Sequence, residues 1–283
     1  MKKYGKVIKD ANLKNYNTYK LDVKCKYLIE VDDYNSLKEL INHLKEKEIK
    51  YFIIGNGSNL ILPLYYDGVV IKLKLSDISI KNNIVEAGSS AMMGKLAFDS
   101  VKHSLKGLEW ASSLPATVGG AVINNAGCFG GETFDSLVKI DCLYNGEIIT
   151  LNKKDIDYGY RYTNLKDYII LKAYFKLEKG NKEELIKTIK EINDKRKKSQ
   201  AIIYPSAGSV FKNPEGDYAG RLIQECGLKE KKIGGAMVSS EHANFIINYN
   251  NASTDDIINL INLIKEEVLK KFNIDLVLEQ EIK

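Results

Sequence analysis

The chain has 283 residues, of which 44% are hydrophobic and 28% are charged. These proportions are those of a soluble globular protein of one elaborate domain or two. No apolar run reaches the length of a membrane span, and the basic start lacks the apolar core of a signal peptide. We therefore expect a cytoplasmic protein without a membrane partner. The net charge of +5 comes from scattered lysines and is weak evidence for a nucleic-acid partner.

The first half of the chain predicts strands that alternate with helices. An apolar strand at Tyr27–Val31 precedes a helix over 33–47, whose apolar residues recur at helical spacing. A strand at Tyr51–Ile54 would complete a βαβ unit. Further strands are predicted at Val69–Leu73 and Ile84–Ala87, and a further helix over 91–105.

The next segments predict a hairpin and a change of composition. Strands over 137–144 and 147–151 flank Asn145-Gly146, a strong hairpin signal, and another strand covers Ile169–Leu177. Composition then shifts near residue 178, where we place a domain boundary.

The last third predicts a smaller βαβ-like unit. A charged helix over 181–200 is followed by a helix at 217–226, a strand at Asn244–Asn248 and a helix from Ser253 to about Lys271, and a final strand is predicted at Ile274–Glu279. Ser253 and Asp256 resemble a capping box at the start of the long helix. The run Lys195-Arg196-Lys197-Lys198 is interpreted as the solvated end of the charged helix.

Two glycine-rich loops are the most informative features of the chain. The first, Gly55-Asn56-Gly57-Ser58-Asn59, follows a buried strand; the second spans 113–121 and continues as small residues to Gly131. Successive backbone N–H groups in such loops can form an anion nest, so the pair predicts a phosphate-bearing ligand such as a dinucleotide. Plain turn chemistry and close backbone packing are the alternative interpretations. The Rossmann and phosphate-loop patterns are both absent.

Three polar residues outside these loops are candidates for chemistry. Arg161 is flanked by tyrosines, Ser209 follows a glycine, and Glu281 lies near the C-terminal end. Each has an ordinary interpretation: a cation stacked on a ring, a structural serine and a solvated glutamate. His242 precedes a predicted strand and could line a pocket. The cysteines and histidines show no metal-ligand spacing, and Cys128 is interpreted as a small apolar filler.

The chain resembles the UDP-N-acetylenolpyruvoylglucosamine reductase family over nearly its whole length. Eight motifs in family order carry this resemblance, and they begin at Gly55, Pro115, Asn125, Tyr160, Gly208, Gly234, His242 and Leu278. The spacing between Arg161 and Ser209 matches the shorter subclass, which lacks an extra tyrosine-bearing loop. Glycines that the family often has near the N-terminus are missing around Thr18.

The resemblance implies an α+β fold with two functional parts. Residues 1–178 would form an FAD-binding domain of the vanillyl-alcohol-oxidase (PCMH) type, with α/β subdomains at about 1–70 and 71–178. Residues 179–283 would form an α/β substrate-binding domain. The residues implied in FAD binding are Gly55, Asn56, Gly57, Ser58, Asn59, Leu60, Ser113, Pro115, Thr117, Gly119, Gly120, Asn125, Ala126 and Gly127.

The activity implied by the resemblance is an NADPH-dependent reduction of UDP-N-acetylglucosamine enolpyruvate by a monomeric enzyme. Ser209 would donate a proton, and Arg161 and Glu281 would stabilise the enolate. Glu281 would then need to be protonated or to share a proton. Weaker candidates for substrate contacts are Tyr160, Lys212, Asn213, Arg221 and His242. Another flavoprotein oxidoreductase and a catalytically silent flavin-binding module are the alternatives.

Overall fold

The structure, a computed structural model, describes residues 1–199 and 203–283. Twenty strands are present in this part of the chain: β1 (Lys6–Asn12), β2 (Lys24–Val31), β3 (Tyr51–Ile53), β4 (Leu60–Ile61), β5 (Tyr65–Leu73), β6 (Ile78–Lys81), β7 (Ile84–Gly88), β8 (Leu105–Lys106), β9 (Gly127–Cys128), β10 (Gly131–Glu132), β11 (Leu137–Tyr144), β12 (Glu147–Asn152), β13 (Tyr158–Gly159), β14 (Tyr162–Thr163), β15 (Ile169–Lys176), β16 (Glu178–Lys179), β17 (Lys232–Ile233), β18 (Ala236–Val238), β19 (Ile246–Asn248) and β20 (Glu281–Ile282). The α-helices of the same residues are α1 (Tyr34–Glu46), α2 (Met93–Lys102), α3 (Val118–Ile123), α4 (Thr133–Ser136), α5 (Lys182–Ser199), α6 (Ala219–Glu225) and α7 (Thr254–Phe272).

The chain divides into two compact units. Unit 1 comprises Met1–Ile8, Tyr27–Asn56 and Gly68–Arg196, and unit 2 comprises Lys9–Lys26, Gly57–Asp67 and Lys197–Lys283. Helix α5 belongs to unit 1 up to Arg196 although it follows the composition shift near residue 178. The division also falls inside the first glycine-rich loop, so Gly55 and Asn56 belong to unit 1.

In unit 1, helix α1 covers one face of a sheet with the strand order β1-β2-β5-β3. The helix buries the apolar stripe that its sequence predicts, and the side chains of Val69 and Ile71 belong to the same core. Its N-terminus is capped by Asp33, which accepts a hydrogen bond from the Ser36 N–H at 2.8 Å. Strand β5 lies between β2 and β3, and β3 runs parallel to β5.

The second sheet of unit 1 has the strand order β12-β11-β15-β7-β6. The predicted hairpin is confirmed, since β11 and β12 pair antiparallel through Leu143 and Ile148. Asn145 and Gly146 both have positive φ, at 48° and 81°, which suits the twist of a two-residue hairpin. Strand β6 and helix α3 were not predicted. Helix α3 lies inside the second glycine-rich loop. Its glycines have a low helix propensity, so the sequence did not predict a helix there.

Unit 2 contains an antiparallel sheet, β17-β18-β19, and the helices α6 and α7. Its strands therefore do not form the parallel pair of the predicted βαβ-like unit. The strand predicted at Ile274–Glu279 is wrong: these residues form a single bridge between Leu278 and Phe211, and strand β20 begins at Glu281. No helix of the described ranges is both long and apolar enough to span a membrane.

The predicted capping box of α7 is present and holds a second segment. The Ser253 hydroxyl accepts from the Asp256 N–H at 3.1 Å, and the Asp256 carboxylate accepts from the Ser253 N–H at 2.9 Å. The same carboxylate accepts from the Gly235 N–H at 3.0 Å. Asp256 therefore joins the long helix to the turn before β18.

Replacing Asp256 with alanine should destabilise unit 2 by about 2 kcal/mol, because a helix cap and a loop anchor are lost together. The measurement is the free energy of unfolding in urea at neutral pH. Asp255→Ala is the matched control, because Asp255 is an exposed acid in the same helical turn. Equal losses in the two variants would contradict this role of Asp256.

Candidate functional site

The first glycine-rich loop presents backbone donors that the protein does not use. The N–H groups from Gly55 to Asn59 donate to no acceptor in the ranges 1–199 and 203–283. The strand before the loop ends at Ile53, and Gly57 has a φ of 63°, where a side chain would also collide with the Tyr16 carbonyl at 2.3 Å. A run of unused N–H groups in a fixed loop is the arrangement that binds an anion.

In unit 1, this loop lies directly against the second glycine-rich loop. The Asn56 amide donates to the Pro115 carbonyl at 2.8 Å. A Cβ added to Gly55 would lie 2.6 Å from the Thr117 hydroxyl, so Gly55 must be glycine for the loops to meet. The structure thus brings together two motifs that are about 60 residues apart in the sequence.

The second loop does not form the predicted nest at its glycines. The N–H groups of Val118 and Gly119 donate to the carbonyls of Ala91 and Ser89, both at 2.8 Å. The Gly120 N–H donates to the Thr117 hydroxyl at 3.3 Å, which caps helix α3. Close packing therefore explains Gly119, where an added Cβ would lie 3.1 Å from the Ser89 Cβ, as the alternative interpretation of the sequence had it.

Arg161 lies at the tip of the hairpin β13–β14, where it has a left-handed backbone with a φ of 53°. Its guanidinium donates to the carbonyls of Gly127 and Asn125 and lies 5.0 Å from the centroid of the half-exposed Tyr160 ring. The fully buried Asn125 donates to the Gly159 carbonyl at 3.0 Å and accepts from the Phe134 N–H at 3.1 Å. Residues 125–127 therefore position Arg161. A non-glycine residue in this conformation is strained, which is common where side-chain placement matters.

Arg196 is a cation of unit 1 that the sequence interpretation missed. It is partly buried, and it donates to the Ser113 hydroxyl at 3.3 Å. Burial lowers the pKa of Arg196 and raises that of the nearby Cys128 thiol, whose Sγ bonds to the Trp110 carbonyl at 3.2 Å. These contacts pack Cys128 within unit 1, which agrees with the filler interpretation.

In unit 2, Glu281 is attached to the end of the first loop. Strand β20 runs parallel to β4, with Glu281 opposite Leu60. The Glu281 N–H donates to the Asn59 carbonyl at 2.9 Å, and the Asn59 amide donates to the Glu279 carbonyl at 3.0 Å. The Glu281 side chain is 53% exposed and pairs with Lys283 at 2.5 Å.

Ser209 is held beside the same loop by two buried amides. Gln280, 3% exposed, donates to the carbonyls of Ala207 and Gly208 at 3.1 and 3.2 Å. Asn244 fixes the next residues by bonding both the N–H and the carbonyl of Phe211, at 3.0 and 2.8 Å. The Ser209 hydroxyl has no hydrogen-bond partner in the described part of the chain, so it is available to a ligand.

The position before Ser209 also lies close to the first loop. A Cβ added to Gly208, whose φ is 75°, would lie 3.8 Å from the Ser58 carbonyl. Within unit 2, the structure therefore brings together the segment 57–60 and the candidates Ser209 and Glu281.

Apart from Tyr160, which belongs to unit 1, the other candidates for substrate contacts lie in unit 2. Asn213 accepts from the Ala219 N–H at 3.1 Å at the start of this helix. The half-exposed Arg221 makes a bidentate contact with Asp217, which lowers the pKa of that carboxyl to about 2. His242 accepts from the Asn244 N–H at 3.2 Å, and burial lowers its pKa. The Lys212 N–H donates to the Val277 carbonyl at 2.9 Å.

Comparison with known proteins identifies the family of this chain. The UDP-N-acetylenolpyruvoylglucosamine reductase of Caldanaerobacter subterraneus is 39% identical over 99% of this chain and 94% of its own length. The chain belongs to the UDP-N-acetylenolpyruvoylglucosamine reductase family. A C-terminal domain model of the family matches residues 198–283, and an FAD binding domain model matches residues 25–152.

Two solved structures, one of the same family and one more distant, resemble this chain. The crystal structure of the enzyme from Thermus caldophilus has a TM-score of 0.84 and 32% identity, and the match covers 98% of each chain. The 6-hydroxy-D-nicotine oxidase of Arthrobacter nicotinovorans is 12% identical with a TM-score of 0.50 over 62% of this chain and 42% of its own, which shows the fold alone. The expected fold class, a PCMH-type FAD-binding domain with a C-terminal α/β domain, is confirmed.

The positioning residues of this reductase-family chain are those that sequence reasoning left without a role. Gln280 and Asn244 lie in family motifs. Their side chains bond to backbone groups that are distant in the sequence, so no local sequence pattern indicates these contacts. Arg196 did have a signal: it follows Leu185, Ile189 and Asn193 at helical spacing, on the packed face of α5. The Asn193 amide oxygen accepts from the Ser112 hydroxyl at 3.3 Å, which supports that orientation.

Gln280→Ala should loosen the segment that carries Ser209. The change leaves the Ala207 and Gly208 carbonyls and the Tyr19 hydroxyl without their partner, at a cost of about 3 kcal/mol. Hydrogen exchange of the Val210 and Glu279 amides should become faster. Tyr19→Phe, which removes only the 3.0 Å bond to Gln280, should cost about 1 kcal/mol and leave that exchange unchanged. Equal exchange in both variants would contradict the positioning role.

Proposed function

We propose that the chain is an FAD-dependent reductase that uses NADPH to convert UDP-N-acetylglucosamine enolpyruvate to UDP-N-acetylmuramate during peptidoglycan precursor synthesis. One observation carries the proposal beyond family membership. The two residues that this chemistry needs in unit 2, Ser209 and Glu281, lie on backbone segments that are next to the part of the first glycine-rich loop in that unit. Another flavoprotein activity would not require this acid and carboxyl pair.

The described residues fit FAD. The five unused N–H groups of residues 55–59 suit a diphosphate, and the loop is braced by Pro115 and Thr117 in unit 1. The proposed FAD contacts are the loop residues 55–60 together with Ser113, Pro115, Thr117, Gly119, Gly120 and residues 125–127. FAD, when bound, would transfer a hydride from NADPH to the terminal carbon of the enolpyruvyl double bond.

Ser209 is the proposed proton donor. Its hydroxyl has no competing partner in the described residues, and it would pass its proton to the carbon next to the one that receives hydride. A hydroxyl is a weak acid, but an enolate is a strong base, and fixed placement by Gln280 and Asn244 favours the transfer.

Arg161 and Glu281 are the proposed groups that stabilise the enolate. The Arg161 fork, held by the carbonyls of Asn125 and Gly127, would bind the substrate carboxylate. Glu281 pairs with Lys283 in the structure, so it would exchange this partner for the substrate and act in a protonated or proton-sharing form.

The remaining assignments belong to the same proposal. Residues 1–178 would bind FAD and residues 179–283 the substrate, and the two matched family models lie inside these bounds. Tyr160, Lys212, Asn213, Arg221 and His242 are proposed substrate contacts, of which Arg221 would have to leave Asp217. The enzyme would be a cytoplasmic monomer.

An absorbance spectrum tests the function. The purified protein should show a flavin band that bleaches with NADPH under anaerobic conditions and returns when UDP-N-acetylglucosamine enolpyruvate is added. A protein that takes up no FAD would contradict the proposal, and so would a reduced flavin that the substrate fails to reoxidise.

Ser209→Ala should keep FAD and anaerobic bleaching by NADPH but lower the rate of substrate reduction by about 100-fold or more, because general acid catalysis contributes this much. Stopped-flow reoxidation of the flavin is the measurement. Ser206→Ala, in the same loop, is the matched control. Normal reoxidation in the Ser209 variant would remove the proton-donor assignment.

A further inference from the structure

Lys72 lies at the carboxyl end of a strand pair that leads into the first glycine-rich loop. Strands β3 and β5 run parallel, with Ile53 opposite Ile71. The residues that follow this pair in the two strands therefore lie at the same edge of the sheet. Ligands of parallel sheets bind at this edge. On β5, Val69, Ile71 and Leu73 face the core under α1, and Lys72 points to the other face.

The Lys72 ammonium is directed at the loop itself. It donates a hydrogen bond to the carbonyl of Gly55, the residue that packs on Thr117. The side chain is partly buried, and this burial lowers its pKa. Lys72 is thus a cation at the point in unit 1 where the two glycine-rich loops meet.

No carboxylate lies within 4 Å of this ammonium among residues 1–199 and 203–283. Glu30, the acid whose charge acts on the pKa of Lys72, pairs with Lys74 at 3.0 Å and with Lys6 at 3.6 Å. A lysine ammonium has three N–H donors, and the Gly55 carbonyl uses one of them. The other two donate to no described residue.

An uncompensated charge withdrawn from water is costly for a protein unless a ligand supplies the opposite charge. Lys72 contacts Gly55, and Gly55 and Asn56 of unit 1 begin the run of N–H groups that donate to no described acceptor, so a cation and unused donors occur together at the start of this loop. A dinucleotide diphosphate satisfies both, whereas a neutral ligand would leave the ammonium unpaired.

We propose that Lys72 is a ligand of the FAD diphosphate and supplies the positive charge that the backbone N–H groups of the first loop lack. This inference rests on the FAD-binding part of the proposed function. The alternative is that Lys72 only braces the Gly55 carbonyl.

The test compares Lys72→Met with Lys74→Met. The two variants lose the same charge from neighbouring residues of one segment, but Lys74 is half-exposed and paired with Glu30. FAD affinity is measured from the quenching of flavin fluorescence in FAD-free protein at several salt concentrations. We expect Lys72→Met to weaken FAD binding about 10- to 100-fold, as for loss of a charged hydrogen bond, and to reduce its salt dependence. Lys74→Met should change affinity less than threefold.

A second measurement reads the diphosphate directly. At saturating FAD, the ³¹P NMR signals of the bound diphosphate should move in Lys72→Met and stay in place in Lys74→Met. The FAD-free Lys72→Met protein should melt at the same temperature as the parent or higher, because an uncompensated charge has been removed. Lys72→Arg keeps the charge and should retain most of the affinity.

The outcomes separate this inference from the proposed function. If the parent protein binds no FAD, the proposed function fails. If the parent binds FAD but Lys72→Met matches it within threefold in affinity, the inference alone is overturned. Weaker binding with unchanged ³¹P signals and unchanged salt dependence also overturns it, because Lys72 would then only brace the loop.

Discussion

The candidate site depends on buried side-chain amides that satisfy irregular backbone. Functional loops lack the regular hydrogen bonds of helices and sheets, and a buried N–H or carbonyl without a partner is costly. In the part of the chain that the structure describes, five buried amides meet this need: Asn17, Asn125, Asn244, Asn248 and Gln280. An amide both donates and accepts, so one side chain can join two segments. Asn125 joins the Arg161 hairpin to α4, and Gln280 joins the C-terminal strand to the Ser209 segment. Without Asn125 and Gln280, the segments that carry Arg161 and Ser209 would lose these anchors.

The proposed chemistry needs some groups that are held in place and others that are available to the substrate. Arg161 and Ser209 are fixed through backbone groups, but the Ser209 hydroxyl has no partner among the residues that the structure describes. Preorganisation of this kind lowers the barrier because no reorganisation is needed during the reaction. Glu281 differs, since its side chain is exposed and paired with Lys283, although its backbone is bonded to Asn59.

Local sequence signals predicted the elements whose stability is local. The stripe of α1, the capping box of α7 and the Asn145-Gly146 hairpin each depend on contacts within a few residues. The final strand was placed wrongly because β20 is defined by Leu60, more than 200 positions earlier in the chain. The first loop has the unused N–H groups that a nest needs, whereas the Gly119 N–H is bonded within the protein, because glycine permits both ligand approach and tight packing. Arg196 was interpreted as solvated because it lies in a run of charged residues. The helical spacing that places it on the packed face of α5 is not evident in such a run.

The interleaved order of the two units has a consequence for how the chain acquires its structure. Neither unit is a continuous stretch of sequence, and Tyr19 bonds to Asn248 and Gln280 across more than 220 residues. Closing loops of that length is entropically unfavourable until many contacts form together. During synthesis, the segments 9–26 and 57–67 therefore emerge before residues 207–282. Their apolar surfaces stay exposed until those later residues are made. High contact order of this kind predicts slow folding and a transient need for protection from aggregation.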